Sequence, residues 1–145
     1  MSWLLDTNIL SELRKGGRAD EKVRCWADRV RGDPQWISVL SLGEIRKGIE
    51  RIRRTDPAQA GHLDDWLINL SVEYADVILP VCGRVADAWG RLQVERSLPV
   101  VDSLLAATAS VHRLRIATRN VEDFAGLGIK IINPFSVQKA DGPKQ

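Results

Sequence analysis

The sequence predicts an α/β fold of three layers, with helices on both faces of a mostly parallel central sheet of about five strands. Five short apolar runs are the candidate strands: residues 3–5, 36–39, 77–81, 115–118 and 130–132. Amphipathic stretches with the length of helices lie between these runs. Connections of this length favour helical crossovers between parallel strands, and hence a sheet enclosed by helices.

The elements follow one another in a regular order. The first strand ends at Asp6, and the second leads into a helix with apolar positions 42, 45, 49 and 52. Two further helices have apolar positions at 63, 67, 70 and 74 and at 81, 85, 88 and 92. The segment SLLAATASVHRL, which follows Asp102, predicts another helix before the fourth strand.

Composition indicates a single globular domain. The chain has 145 residues, of which 44% are hydrophobic and 28% charged, which is enough for one domain with its own core. We expect this domain to span residues 1–138 and a loose polar tail to span 139–145. Since there is neither a basic leader before a long apolar stretch nor a run of about 18 uncharged apolar residues, we expect a cytosolic protein without a membrane segment.

Cysteine and histidine are too sparse for a zinc site. Two residues of each type lie far apart, without the spacing that zinc ligands show. Any metal is therefore expected to be bound through oxygen. The formal net charge of +2 permits a polyanionic partner but does not require one.

Four acids lie where predicted strands end or predicted helices begin. Asp6 and Asp123 lie just beyond strands, whereas Glu44 and Asp102 lie at the openings of helices. Each acid also has a local explanation, because Ser41 and Glu44 have the spacing of a capping box and Asp102 stands where an N-cap would. Capping and ligand binding both remain open for each acid taken alone.

The placement of the four acids together favours a metal site. In open parallel sheets, ligands bind at the carboxyl edge of the strands. Carboxylates gathered there repel one another and lose hydration, unless a cation neutralises them or some of them take up protons. Mg²⁺ and Mn²⁺ prefer carboxylate and water oxygens and often contact a substrate phosphate. The chemistry indicated is metal-assisted hydrolysis of a phosphodiester.

Four segments contain these acids in order and span nearly the whole chain. They are LLDTNILSEL, ISVLSLGEIRKGI, LPVVDSLLAATA and IATRNVEDFAGLGIKIINPF. Together they resemble the PIN-domain ribonucleases, especially the toxin subunits of bacterial toxin–antitoxin modules of the VapBC and FitAB type. The resemblance implies a PIN-like fold and an intact set of acidic residues.

The resemblance also implies roles for individual residues. Asp6, Glu44 and Asp102 would be the core catalytic acids that bind the metal, and Asp123 a fourth, more variable one. Four polar residues would support them: Thr7, Asn8, Thr118 and Asn120. The implied cofactor is Mg²⁺, with Mn²⁺ as a substitute, and the implied reaction is hydrolysis of RNA by a metal-activated water. A cognate antitoxin that inhibits the enzyme and a homodimer are the implied protein partners.

The helix after Glu44 is rich in cations. Lys47, Arg51 and Arg54 share one face at i, i+4 and i+7, away from the apolar stripe of the same helix. This face is either an ordinary solvated surface or an electrostatic track that leads RNA phosphates to the acids.

Other functions are compatible with parts of this pattern. A catalytically idle PIN-like module that binds nucleic acid or protein would keep the fold, although the complete set of acids argues against it. A receiver-like signalling domain needs a pair of acids after the first strand, where this chain has Thr7 and Asn8. A phosphatase with an aspartyl nucleophile needs Asp-x-Asp there, and Asn8 occupies the second position.

Overall fold

The computed structural model describes residues 1–92 and 97–136, so the predicted tail over 139–145 and the domain limit at residue 138 lie outside the described residues. Five strands form the sheet: β1 (Trp3–Leu5), β2 (Gln35–Ser38), β3 (Ile78–Leu79), β4 (Arg115–Ala117) and β5 (Ile131–Ile132). The described residues contain these α-helices: α1 (Thr7–Leu13), α2 (Glu21–Arg29), α3 (Val39–Arg53), α4 (Pro57–Glu73), α5 (Gly83–Arg91), α6 (Val100–His112) and α7 (Val121–Phe124).

The sheet is parallel and has the strand order β3-β2-β1-β4-β5. The first strand in the sequence is therefore the central one, with Leu4 opposite Trp36 on one side and Ile116 on the other. Because the strands all run the same way, their carboxyl ends meet at one edge of the sheet. The predicted α/β fold is confirmed.

Helices cover both faces of the sheet and form the predicted layers. Trp3 and Leu5 of β1 point into one apolar cluster, which they share with residues of α1, α2, α3 and α4. Leu4 points to the opposite face and packs with Leu105 of α6 and Phe124 of α7. This alternation follows from the pleat of a strand that is buried on both faces.

The start of α3 differs from the sequence-based expectation. Ser38, the last residue of β2, caps the helix, since its hydroxyl accepts a hydrogen bond from the Leu40 N–H at 3.0 Å. Val39 is consequently helical rather than extended, and the predicted capping box of Ser41 and Glu44 is wrong. A buried serine at the end of the strand supplies the cap three residues earlier than the pattern suggested.

The predicted capping role of Asp102 is also wrong. Pro99 is the N-cap residue of α6, with an extended backbone, and Asp102 lies within the first turn of the helix. The carboxylate of Asp102 is therefore available for contacts outside its own helix. Among the described helices, none combines the length and the apolar character needed to cross a membrane.

Candidate active site

Asp6 is held at the carboxyl end of the central strand by three hydrogen bonds. Its Oδ1 accepts the Thr7 N–H at 2.8 Å, as an N-cap of α1 does. Its Oδ2 accepts the Thr118 hydroxyl at 2.7 Å and the Asn8 side-chain amide at 3.3 Å. Asp6 is only 4% exposed, so this carboxylate is fixed inside the protein at the point where β1 and β4 end.

The surroundings of Asp6 oppose its ionisation. Burial raises the pKa of Asp6, and the hydrogen bonds from Thr118, Thr7 and Asn8 only partly offset this effect. The negative charge of Asp123 raises the pKa of Asp6 further. A cap on a solvated helix has no such neighbour, so capping alone does not explain the environment of Asp6.

Glu44 joins Asp6 through Thr7. The side chain of Glu44 lies half-buried in the second turn of α3, and its Oε1 accepts the Thr7 hydroxyl at 2.9 Å. Thr7 thus donates its backbone N–H to one acid and its hydroxyl to the other. The first turn of α1 thereby fixes the relative positions of two acids that are far apart in the sequence.

The pKa of the Asp102 carboxyl is affected by all three of the other acids. Burial, and after it the negative charges of Asp6, Asp123 and Glu44, together raise the pKa of Asp102 to about 6. A hydrogen bond to the carboxyl of Asp123 also favours the protonated form. The structure therefore brings the four predicted acids together at the carboxyl edge of the sheet, and we refer to them as the acidic edge.

Thr118 and Asn120 connect β4 to this acidic edge. The fully buried Thr118 hydroxyl, which donates to Asp6, accepts the Asn120 N–H at 3.0 Å. Asn120 precedes α7, which places Asp123 in its first turn. The side chain of Asn120 is exposed and does not cap α7, so this residue reaches the site through its backbone.

The acidic edge has the chemistry of a site for a hard divalent cation. Within residues 1–92 and 97–136, no Lys or Arg forms an ion pair with any of its four carboxylates. The donors are oxygens, which suits Mg²⁺ or Mn²⁺. In the same part of the chain, no three acidic, histidine or cysteine side chains stand close enough to hold an ion as they are placed. Charge repulsion acts over longer distances than metal coordination, so an ion would have to draw these side chains together.

The predicted cationic track lies on α3 and does not reach the carboxylates. Lys47, Arg51 and Arg54 are exposed and, within the described residues, have no acidic partner. Their spacing places them on the helix face that begins with Glu44. Arg54 lies about 15 Å along the helix from Glu44.

The other cations of the same helix are engaged in ion pairs. Arg46 and Arg53 contact the carboxylate of Asp64 on α4 at 2.6 Å and 2.7 Å, and both also contact Glu50. These pairs connect α3 to α4. Arg46 and Arg53 are therefore engaged in contacts between the helices, whereas the exposed cations of the predicted track remain available to bind a polyanion.

Sequence reasoning missed a polar connection from β5 to the site. The Asn133 side chain donates to the Arg119 carbonyl at 3.5 Å and accepts the Phe135 N–H at 2.9 Å. The Arg119 N–H in turn donates to Asn8, and its guanidinium lies 4.3 Å from the centroid of the Phe135 ring. Asn133 follows a strand directly, as Asp6 does, and this position was the signal that could have identified it.

Comparison with known proteins gives a consistent result. The PIN domain family matches residues 3–129. The VapC ribonuclease Y4jK of Sinorhizobium fredii is 30% identical over 146 aligned residues, which cover 91% of this chain and 96% of that protein. The crystal structure of FitAcB from Neisseria gonorrhoeae has a TM-score of 0.82 at 26% identity and covers 93% of this chain and 99% of its own. A toxin–antitoxin complex from Klebsiella pneumoniae has a TM-score of 0.65 at 26% identity and covers 92% of this chain and 98% of its own. A parallel sheet with four acids at its carboxyl edge and a family match over most of the sequence lead to one conclusion: the chain belongs to the PIN domain family.

Proposed function

We propose that this protein is a metal-dependent ribonuclease that hydrolyses RNA phosphodiester bonds, and that it is the toxin of a toxin–antitoxin pair. The observation that carries the proposal is the gathering of four acids at the carboxyl edge of the sheet, where hydrogen bonds fix Asp6 and Glu44 and no described Lys or Arg pairs with any of the four. The raised pKa of Asp102 reflects the same crowding. A protein keeps mutually repelling carboxylates together at the expense of its own stability. A site for a cation accounts for such an arrangement.

The acids would share the work of holding the cation. Asp6, Glu44, Asp102 and Asp123 would hold Mg²⁺, or Mn²⁺ in its place. When bound, the ion would activate a water for attack on phosphorus and neutralise the charge that develops on the phosphate. The chain's own contribution is to orient the carboxylates: Thr118 and Asn8 fix Asp6, and Thr7 fixes Glu44.

The protonation of Asp102 bears directly on this function. With a pKa of about 6, the carboxyl is mostly ionised at neutral pH and increasingly protonated in weak acid. A protonated carboxyl is a poor ligand for a hard cation. Because protons and the metal would compete for this carboxyl, activity at limiting metal is expected to fall as the pH decreases, and added metal should move this loss to lower pH.

The substrate would be guided by the free cations of α3. Lys47, Arg51 and Arg54 share the helix face on which Glu44 lies near the acidic edge, so RNA phosphates bound along this face would lead towards the carboxylates. Their lack of acidic partners within the described residues supports this role. The paired cations Arg46 and Arg53 are not part of the proposed track.

The proposed protein partner is an antitoxin, and the proposed assembly includes a homodimer of this chain. The similar solved complex from Klebsiella pneumoniae is a toxin bound to an antitoxin, which supports such a partner here. An antitoxin segment that inserts an Arg or Lys among the four carboxylates would neutralise them and occupy the place of the metal. Inhibition would then compete with metal binding.

The test is cleavage of defined RNAs by the purified protein with and without Mg²⁺ or Mn²⁺. We expect cleavage only with metal, and we expect Asp102→Asn to lose it while keeping the fold. Asp87→Asn is a matched control, because Asp87 is an exposed acid of α5 paired with Arg91. Cleavage by Asp102→Asn at the parent rate would contradict the proposal. RNA binding without cleavage by the parent under any of these conditions would favour the idle binding module.

A further inference from the structure

The end of the sheet opposite the acidic edge contains an open pocket of about 460 Å³. It lies where β1 and β4 begin and where α6 ends. The residues that line it include three cations and no acid: Arg113, Arg115 and Lys130. The chain advances about 16 Å along α6 between Asp102 and Arg113. We refer to this separate site as the cationic pocket.

The positive charge of the cationic pocket is uncompensated within the described residues. None of its three cations forms an ion pair there, and the Arg115 guanidinium lies 5.8 Å from the centroid of the Trp3 ring. The end of α6 does not require them, because the Ala109 carbonyl already accepts the Leu114 N–H at 2.9 Å. Three neighbouring cations without an acid indicate a site for an anion.

Arg113 adopts a backbone conformation that usually selects glycine. Its φ of 55° and ψ of 45° are left-handed, and no other non-glycine residue in the described part of the chain has a positive φ. The hydrogen bond from Leu114 to Ala109 makes this a Schellman-type end of the helix, where glycine is the common choice. The cap alone therefore does not account for an arginine at this position.

Neutral donors complete the lining of the pocket. Gly128, Ile129 and Ser110 also line the pocket. Within residues 1–92 and 97–136, the N–H groups of Gly128 and Ile129 and the hydroxyl of Ser110 donate to no protein acceptor. Ala109 and Leu114 line the pocket as well but are buried in the core, so they offer little apolar surface. The lining therefore suits oxyanions rather than an apolar group.

We propose that the cationic pocket binds a polyphosphate. Guanidinium and ammonium groups form charge-assisted hydrogen bonds to phosphate oxygens, and three such groups match a chain of phosphates better than a single one. The volume lies in the range of about 300 to 1,000 Å³ that small-molecule sites occupy. The phosphates contact Arg113 and Lys130, and Arg115, whose guanidinium lies over Trp3, adds to the positive potential.

Calorimetric titration of the full chain in EDTA tests this assignment, with ATP, tripolyphosphate and adenosine as probes. EDTA prevents binding of a metal–nucleotide complex at the acidic edge. We expect ATP and tripolyphosphate to bind and adenosine to bind far more weakly. We also expect Lys130→Ser to weaken ATP binding about tenfold or more. Arg29→Ser, which removes an exposed cation of α2, is the control and should bind ATP as the parent does.

Arg113→Gly gives the sharpest result, because its two effects have opposite signs. Glycine relieves the left-handed conformation, so the free protein should unfold at a higher temperature than the parent, while ATP binding weakens about tenfold or more. Equal ATP affinity in the parent, Arg113→Gly and Lys130→Ser would overturn the assignment. So would equal affinity for adenosine, or no binding at millimolar ATP. A single-stranded RNA that requires Arg113 and Lys130 while ATP and tripolyphosphate do not bind would identify an RNA contact and overturn the polyphosphate proposal.

Discussion

Asp6 has two tasks, and single substitutions separate them. Its Oδ1 caps α1, while its Oδ2 lies in the acidic edge. Asp6→Ala removes the cap and should cost about 0.5 to 2 kcal/mol of stability. Asp6→Asn keeps the cap and removes a buried charge, but it replaces the oxygen that accepts from Thr118 and Asn8 by an amide group. Because burial affects the charged carboxyl more than these hydrogen bonds do, we expect the variant to unfold at a higher temperature than the parent in EDTA. We also expect it to lose most of the stabilisation that Mg²⁺ or Mn²⁺ gives the parent.

Thermal unfolding of the parent and of both variants, in EDTA and in millimolar metal, measures these effects. The decisive comparison is that between the parent and Asp6→Asn in EDTA. If the two unfold at the same temperature and metal does not stabilise the parent, Asp6 is only a cap, and the metal site is refuted with it.

Asp102 predicts a dependence of stability on pH. Its pKa in the folded protein is about 6, above the ordinary value of 3.8. At pH values between these two, the folded state binds more protons than the unfolded state, so the free energy of unfolding decreases as the pH rises through this range. In EDTA, the unfolding temperature of Asp102→Asn minus that of the parent should therefore increase as the pH rises from about 4 to about 6. Asp87→Asn should follow the parent, and an equal response of the parent and Asp102→Asn would contradict the assignment.

At the scale of elements, α3 combines an acid of the site with a row of free cations. Replacing Lys47, Arg51 and Arg54 with Ser should weaken RNA binding and reduce the slope of log affinity against log salt by about 2, since each phosphate contact on a single strand contributes about 0.7. Binding is best measured in EDTA, so that the RNA stays intact. The matched control removes exposed cations near α2: Arg18, Lys22 and Arg29. A slope that changes equally in both triple variants would leave α3 without a special role.

The elements themselves could largely be predicted, whereas their starts could not. Strands and helices bury one or both faces, so the spacing of apolar residues in the sequence predicts where they lie. Helix starts depend on which of several polar residues takes the cap. Ser38 and Pro99 begin α3 and α6, although Ser41 and Asp102 fitted the local patterns. Glu44 and Asp102 do not cap their helices and instead belong to the acidic edge. A local capping pattern therefore assigned them the wrong role.

At the scale of the whole molecule, the proposed antitoxin should compete with the metal. The same four carboxylates would be neutralised either by a metal ion or by an inserted Arg or Lys. We expect the inhibitory potency of the antitoxin to decrease as Mg²⁺ or Mn²⁺ increases. Replacing the inserted cation by a neutral residue should abolish this dependence and most of the inhibition. Measured inhibition constants that are independent of metal would contradict the competition.

The place of the four acids in the fold could be predicted from the sequence, but the hydrogen bonds that fix them could not. Strand ends and the family resemblance pointed to the four acids, because the carboxyl edge of a parallel sheet is a known place for ligands. The contacts that fix them, such as Thr118 to Asp6 across 112 residues, depend on strand order and register. A single sequence does not contain that information in any local pattern.

The central position of β1 has a consequence for synthesis on the ribosome. β1 is made well before its second neighbour, β4, which begins at Arg115. Until residue 118 has emerged, Asp6 lacks the hydroxyl that holds its Oδ2. Pairing across so long a stretch of chain is slow and comes late in folding. A nascent chain therefore has no assembled acidic edge until β4 and Thr118 have emerged, which delays any activity of the proposed active site until then.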